Sequence, residues 1–287
     1  MRAVDLHTHS YKSDGSKSPS ELVDMATDIG LAAMALTDHD TVDGVEEAVT
    51  HAQALRAAGV SNVPEIIPGV ELSTDKWGED IHVVGLYIDI HNAALKKALD
   101  DFVVKREKRN AKMCDRLREL AGFDISYEKL TAAYPGAVLT RAHYATYLIQ
   151  KGYVQNTKEA FARYLGEDTP YFVPRDKITP VDAVHLILNA GGIPILAHPM
   201  LYDLTEAQLE ALVCEMKSAG LVGIEAIYST YTPEQERYVR RLAAQYELLL
   251  SGGSDYHGAA KPAISLGTGF GKLFVPEEVL DILKLHR

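Results

Sequence analysis

The chain has 287 residues, 47% of them hydrophobic and 24% charged, which excludes a wholly disordered, collagen-like or coiled-coil protein. That length suits one α/β barrel-sized unit carrying an insert, and no apolar run approaches the roughly 20 residues that cross a bilayer. With 29 Lys and Arg against 40 Asp and Glu, the formal charge of -11 argues against sequence-independent binding to long duplex nucleic acid.

Met1 and Arg2 lead straight into Ala3, Val4, Asp5, Leu6 and His7 with no apolar leader run, so a cytoplasmic protein is expected. Ala3 to Leu6 reads as a first strand, and Ser18-Pro19-Ser20-Glu21 is a capping box opening a helix to about Ile29. Ala32 to Leu36 is a second strand; Asp43 with Glu46 caps a helix ending near Gly59; Glu65 to Val70 and Ile81 to Tyr87 are further strands. Strand signals then vanish between Asn92 and Thr179, where a long helix runs from Ala93 to Ala121 and shorter ones lie near Arg141 to Gln150 and Lys158 to Leu165. The strand-helix rhythm returns with a helix opened by Thr179-Pro180-Val181-Asp182, a strand at Ile193 to Ala197 and a helix from Thr205 to Ala219. Strands at Gly223 to Ala226 and Leu248 to Leu250 then flank a helix opened by Thr232-Pro233-Glu234-Gln235. These are βαβ units, about seven of them, just short of the eight in a regular barrel. The barrel is expected over 1–91 and 180–287, with 92–179 a helical insert forming a cap over the substrate.

In a parallel barrel all strand C-termini face one side, where the active site sits. His7 and His9 end the first strand, and residues at i and i+2 point the same way and can grip one ion. Asp14 follows in the loop; His39 ends the second strand within Asp38-His39-Asp40; Glu71 ends the third; His82 opens the fourth; His198 ends the fifth; Asp255 and His257 follow Gly252-Gly253-Ser254. Any one of these could be an ordinary core or surface residue, but nine at successive strand ends are not placed by chance. Imidazole and carboxylate without thiolate suits Mn, Zn or Fe, and nine donors imply two or three bridged ions. Cys114 and Cys214, without CxxC spacing, read as buried small apolar residues. His51, His91, His185 and His286 have no strand-end context.

The order HxH, Asp, DHD, VE, IH, HP and DxH resembles the polymerase and histidinol phosphatase (PHP) family over roughly 1–90 and 180–270. That resemblance implies a distorted (β/α)7 barrel with a trinuclear site for phosphoester hydrolysis, most simply three Mn(2+). It further implies that His7, His9, Glu71 and Asp255 hold one ion, that Glu71 bridges to a second held with His82 and His198, and that Asp14, His39 and His257 hold a third. Asp255, His198 and His257 are the expected catalytic groups.

Within the long insert helix Leu99, Phe102, Arg106, Arg109, Met113, Leu117 and Leu120 recur every three or four residues, so two arginines interrupt an inward apolar stripe. Each needs an anionic partner, either an internal salt bridge or a phosphate, which Arg grips bidentately. Arg141 lies near a helix start, also suited to an anion. The insert resembles the PHP branch acting on nucleoside 3′,5′-bisphosphates and 5′-phosphorylated RNA ends, which makes Asp14, Arg106, Arg109, Asn110, Thr140, Arg141 and His143 the expected substrate contacts. The expected activity is removal of the 3′-phosphate of such a nucleotide, with 5′-to-3′ trimming of short RNA beside it and no membrane partner. The rival readings are a histidinol-phosphate phosphatase and an amidohydrolase.

Overall fold

The computed structural model describes residues 2–286, so the outermost positions of the two barrel segments, 1 and 287, lie outside the described residues. Its strands are β1 (Ala3–Asp5), β2 (Ala33–Leu36), β3 (Glu65–Lys76), β4 (Glu79–Leu86), β5 (Ile193–Leu196), β6 (Gly223–Tyr228), β7 (Leu249–Gly253) and β8 (Val275–Pro276). They form one sheet in the order β7-β6-β5-β4-β3-β2-β1-β8. Leu6 N donates to Gly252 O at 3.2 Å and Thr8 pairs with Tyr256, so the ends of β1 and β7 meet and the sheet nearly closes into a barrel. Around it lie α1 (Pro19–Asp28), α2 (Val45–Ala57), α3 (Ala93–Ala121), α4 (Tyr127–Ala133), α5 (Arg141–Gln150), α6 (Thr157–Ala160), α7 (Pro180–Asn189), α8 (Glu206–Ser218), α9 (Pro233–Gln245) and α10 (Glu277–Lys284). Among the described residues no helix is long and apolar enough to cross a membrane.

Local chemistry sets most helix starts. Ser18, Thr179, Thr205 and Thr232 each cap their helix while the residue three further on reaches back to the cap nitrogen, satisfying two otherwise unpaired donors at each end. The expected Asp43 cap is not formed: α2 starts after Gly44 with no side-chain cap, and Asp43 N bonds instead to Thr41 Oγ1 at 3.2 Å. The expected helix at Lys158 to Leu165 is the short α6 followed by a wide π-type turn, Phe161–Leu165. Sequence reading also missed α4, α10 and the two-residue β8, which pairs antiparallel with β1.

The sheet is mixed rather than all parallel, since β4 runs antiparallel to both β3 and β5. Trp77 and Gly78, with φ of 59° and 85°, join β3 to β4 as a two-residue hairpin turn, which permits only an antiparallel return. Reversal of β4 puts its first residues, His82 included, at the sheet end reached by the last residues of the parallel strands.

The segment from α3 to α6 has its own apolar cluster around Met113, Leu117, Leu130, Tyr144, Leu148 and Leu165. The first half of α3 packs differently, with Leu95, Leu99 and Phe102 joining the barrel cluster beside Ile187. One helix thus belongs to both cores, and each fully buried Leu holds it there by roughly 1.5–3 kcal/mol. The expected stripe breaks at its end: Leu120 is 61% exposed, because it stands on the outer face of α3 while Leu117, Ala121 and Phe123 on either side of it pack into the cluster.

Candidate metal centre and cationic pocket

At the shared sheet end the nine expected side chains meet. Their donor atoms form four groups, within each of which all lie inside 4.8 Å of one another: His9, Asp14, His39 and His257; His7, Glu71 and His198; His7, His9 and Asp255; His39, Glu71 and His82. Glu71 is the centre, with Oε2 3.1 Å from ring nitrogens of His7, His9 and His39, and Oε1 2.8 Å from His82 Nδ1 and 3.0 Å from His198 Nε2. His7, His9 and His39 each belong to two groups, so the arrangement is more continuous than a three-way division.

The donor set fits cations. His7 Nε2, His9 Nε2, Asp14 Oδ1, His39 Nδ1 and Glu71 Oε2 are buried and lack a hydrogen-bond partner, and a buried polar group left unmet costs about 1–3 kcal/mol. Burial alone would raise the Glu71 carboxyl, but His39, His7 and His82 outweigh it and hold Glu71 well below the usual carboxylate range. Asp255 is likewise depressed, with Lys261 and His257 prevailing over burial. Burial pushes His39 down to about 3, against the pull of Glu71 and Asp14, leaving the neutral imidazole that ligation requires.

A second set of carboxylates fixes these donors. Glu225 sits 3.1 Å from His7 Nδ1 and accepts from His198 N at 2.8 Å, which turns His7 Nε2 inward, the arrangement that sets tautomer and basicity of a ligand imidazole. His257 Nδ1 donates to Asp255 O at 2.9 Å with the same effect. Asp38 accepts from Ser10 N and from the Ser10 and Ser13 hydroxyls at 2.8, 2.6 and 2.6 Å, and Asp5 accepts from Ser254 N and Gly267 N, both at 2.8 Å. Asp40, His198 and Asp255 all have positive φ, local strain of about 1–3 kcal/mol each that the surrounding contacts must hold.

Beside His39 and His82 lies a cavity of about 90 Å³ whose walls include Arg106, Arg109, Arg141, Arg175 and Lys177. Asp40 takes both Arg106 Nη2 and, at 3.2 Å, Arg175 Nη1. Arg141 pairs with Glu167 at 3.1 Å, and Lys177 with Asp80 at 2.7 Å. Of the three expected phosphate contacts, Arg106 and Arg141 therefore have internal carboxylate partners. Arg109 has no acidic partner among the described residues; burial, then Arg106 and Arg175, push it down to about 9. Asn110 donates to Leu139 O at 3.0 Å while its Oδ1 stays unpaired. Thr140 Oγ1 donates to Asp14 Oδ2 at 2.9 Å, and His143 Nδ1 accepts from Thr140 N at 3.0 Å.

Sequence reading missed Glu225, Arg175 and Lys177. Glu225 was signalled by a lone carboxylate inside the apolar run Gly223 to Ala226, while Arg175 and Lys177 stand in a connecting segment without periodicity.

The PHP domain model matches residues 5–166, more than half of the chain. The chain belongs to the PHP domain family. This PHP chain is 40% identical over 256 residues to a 5′-3′ exoribonuclease of Haemophilus influenzae, covering 89% of this chain and 90% of that one. It is 32% identical to a 3′,5′-nucleoside bisphosphate phosphatase of Chromobacterium violaceum, with 93% and 91% covered. Among solved structures, it superposes with a TM-score of 0.84 and 30% identity on an amidohydrolase from Chromobacterium violaceum with bound sulfate and no metal, covering 92% and 90%. A metal-dependent phosphoesterase candidate from Bifidobacterium adolescentis also gives 0.84, at 26% identity and 99% and 96% coverage.

Proposed function

We propose that this PHP chain is a metal-dependent phosphoesterase of the cytoplasm that hydrolyses the 3′-phosphate of nucleoside 3′,5′-bisphosphates and, by the same bond cleavage, trims short RNA from its 5′ end. The observation that carries this reading is the uncompensated Arg109 in a cationic cavity whose wall includes His39 and His82 of the donor cluster. One phosphate at the cluster and a second in the cavity describe a bisphosphorylated nucleotide, and the names of the relatives above support it. A histidinol phosphate has nothing to place against Arg109.

His7, His9, Asp14, His39, Glu71, His82, His198, Asp255 and His257 would hold the ions, in our reading three Mn(2+). Such cations, when bound, supply Lewis acidity at phosphoryl oxygens and lower the pKa of water at the site. Arg109 binds the phosphate that is retained, with Arg106 and Arg141 beside it, each already fixed in place by a carboxylate. That remote contact orients the reacting phosphate, since binding energy away from the reacting bond restricts its motion. Asn110 braces Leu139, next to Thr140 of the cavity wall, and Thr140 holds Asp14 toward the site while His143 accepts from Thr140 N. Asp255 stays ionised at neutral pH and so orients as an acceptor instead of delivering a proton.

The test is phosphate release with Mn(2+) over nucleoside 3′,5′-bisphosphates, nucleoside monophosphates, histidinol phosphate and simple amides. Turnover highest on the bisphosphate by an order of magnitude or more is expected. Equal turnover of bisphosphate and histidinol phosphate, or amide turnover at the same level, would overturn the assignment.

A further inference from the structure

A second cavity, of about 430 Å³, opens where barrel and insert meet, lined by Tyr11, Asp14, Tyr134, His143, Thr146 and Gln150 among others. It shares no residue with the cationic pocket. The boundary between the two is the hydrogen bond from Thr140, a wall of the cationic pocket, to Asp14, a wall of this one. Asp14 Oδ1 also lies 3.2 Å from His257 Nε2, so Asp14 belongs both to the donor cluster and to the wall of this cavity.

We infer that this cavity is the subsite for the second nucleotide of a 5′-phosphorylated RNA, an inference that rests on the function proposed above. With the 5′-phosphate against Arg109 and the next phosphoryl group at the cluster, water forms a new P–O bond and the P–O3′ bond breaks. The O3′ leaving oxygen takes a proton, and the phosphoryl group stays on the 5′ oxygen of the second nucleotide. Everything beyond that phosphoryl group must therefore lie away from the cationic pocket, and the space next to Asp14 is the continuation available.

Its chemistry suits a nucleoside. Unstacked bases of single-stranded RNA are held on aromatic faces, and Tyr11 and Tyr134 supply two, the Tyr134 ring packed edge-on to His143 with centroids 4.6 Å apart. Gln150 brings an amide that both donates and accepts, as a base edge requires. Lys12, whose Nζ lies 5.0 Å from the Tyr11 ring centroid and makes no ion pair among the described residues, provides positive charge for the following phosphate. On this placement a free bisphosphate ends at the cluster, so occupancy of the cavity distinguishes the two activities.

The experiment compares wild type, Thr146→Trp and Tyr134→Ala on a 5′-phosphorylated dinucleotide and on a nucleoside 3′,5′-bisphosphate, with melting temperatures alongside. Thr146 is half buried on α5, whose core contacts come from Tyr144, Ala145 and Leu148, so an indole there enters the cavity. Expected is a fall of at least tenfold in kcat/KM for the dinucleotide, carried mainly by KM, with bisphosphate turnover within about twofold of wild type. Tyr134→Ala, which adds no bulk, gives the same pattern if Thr146→Trp does not fold. Equal losses on both substrates, no loss on either, or a wild type that cleaves the bisphosphate and not the dinucleotide would each overturn the subsite. A wild type inactive on both would instead refute the proposed function itself.

Discussion

The close packing of Gly253 at the end of β7 against His7, just past β1, makes Gly253 the most informative position to perturb. A Cβ added there would lie 2.5 Å from His7 Cβ and 2.6 Å from His7 N, whereas ordinary carbon contacts begin near 3.5 Å. Gly253→Ala must therefore open the seam by about 1 Å. The opening falls on the hydrogen bond from Asp255 N to His7 O, 2.9 Å long, and on the 3.4 Å approach of Asp255 Oδ1 to His9 Nε2. Overpacking of this kind costs roughly 1–3 kcal/mol, while a displacement of about 1 Å at a reacting centre costs on the order of 100-fold in rate. Gly253→Ala should then lose about two orders of magnitude in kcat on a nucleoside 3′,5′-bisphosphate with only a few degrees of Tm, and should retain less metal after dialysis. Gly59→Ala is the matched control, since Gly59 has a φ of 81° with nothing within 4 Å of its added Cβ. It should lower Tm by a comparable amount and leave kcat alone. Activity losses in the two variants that simply follow Tm would refute the argument that this seam sets the donor geometry.

Arg109→Gln should lower kcat/KM for the bisphosphate by about one to two orders of magnitude, the scale of a charged hydrogen bond, and raise Tm, because a buried cation without a carboxylate partner is removed; paired kinetics with a simple monophosphate check it, and equal losses on both substrates would contradict the role. Without cations His9 is raised to about 9 and His82 to about 10, in each case by acidic neighbours that outweigh burial. Their ion pairs thus stabilise metal-free protein fully below about pH 6.5 and are lost as pH rises through 9 to 10; metal must displace those protons, so its retention should fall as pH is lowered. Metal content after dialysis at pH 5.5 and pH 8 decides this, with equal occupancy counting against it. Iodoacetamide at pH 8 should alkylate Cys214 and spare Cys114, whose thiol burial pushes up to about 11; peptide mapping reads the outcome, and labelling of Cys114 at a similar rate would show the apolar cluster of the α3 to α6 segment to be open.

The donor residues were legible because strand chemistry is local. Side chains two apart at a strand end share a face, and His7 with His9, just past β1, do meet in one donor group with Asp255; Asp255 and His257 stand at the same spacing past β7, but the positive φ of Asp255 breaks the alternation and sends the two to different donor groups. Ser18 and Thr179 open their helices by contacts three residues long, and these too need nothing beyond the segment. Cys214 shows how far composition reaches: a small apolar residue was expected inside, yet it lies exposed on α8, while Cys114 is buried. His82 needed the hairpin at Trp77 and Gly78, since only the reversal of β4 brings the start of that strand to the site. Glu225 needed the approach of β6 and β7 to β1 in the nearly closed sheet, which sets it 3.1 Å from a histidine 218 residues away. The arginines needed it most. The spacing of Arg106 and Arg109 shows that both turn inward, but Asp40, 66 residues from Arg106 and 135 from Arg175, neutralises one side of the pocket and leaves Arg109 uncompensated. Sequence fixes which faces are buried and which residue types stand at strand ends, because those follow from backbone periodicity; which charge is left without a partner depends on distances across the folded chain, and only the tertiary structure sets those.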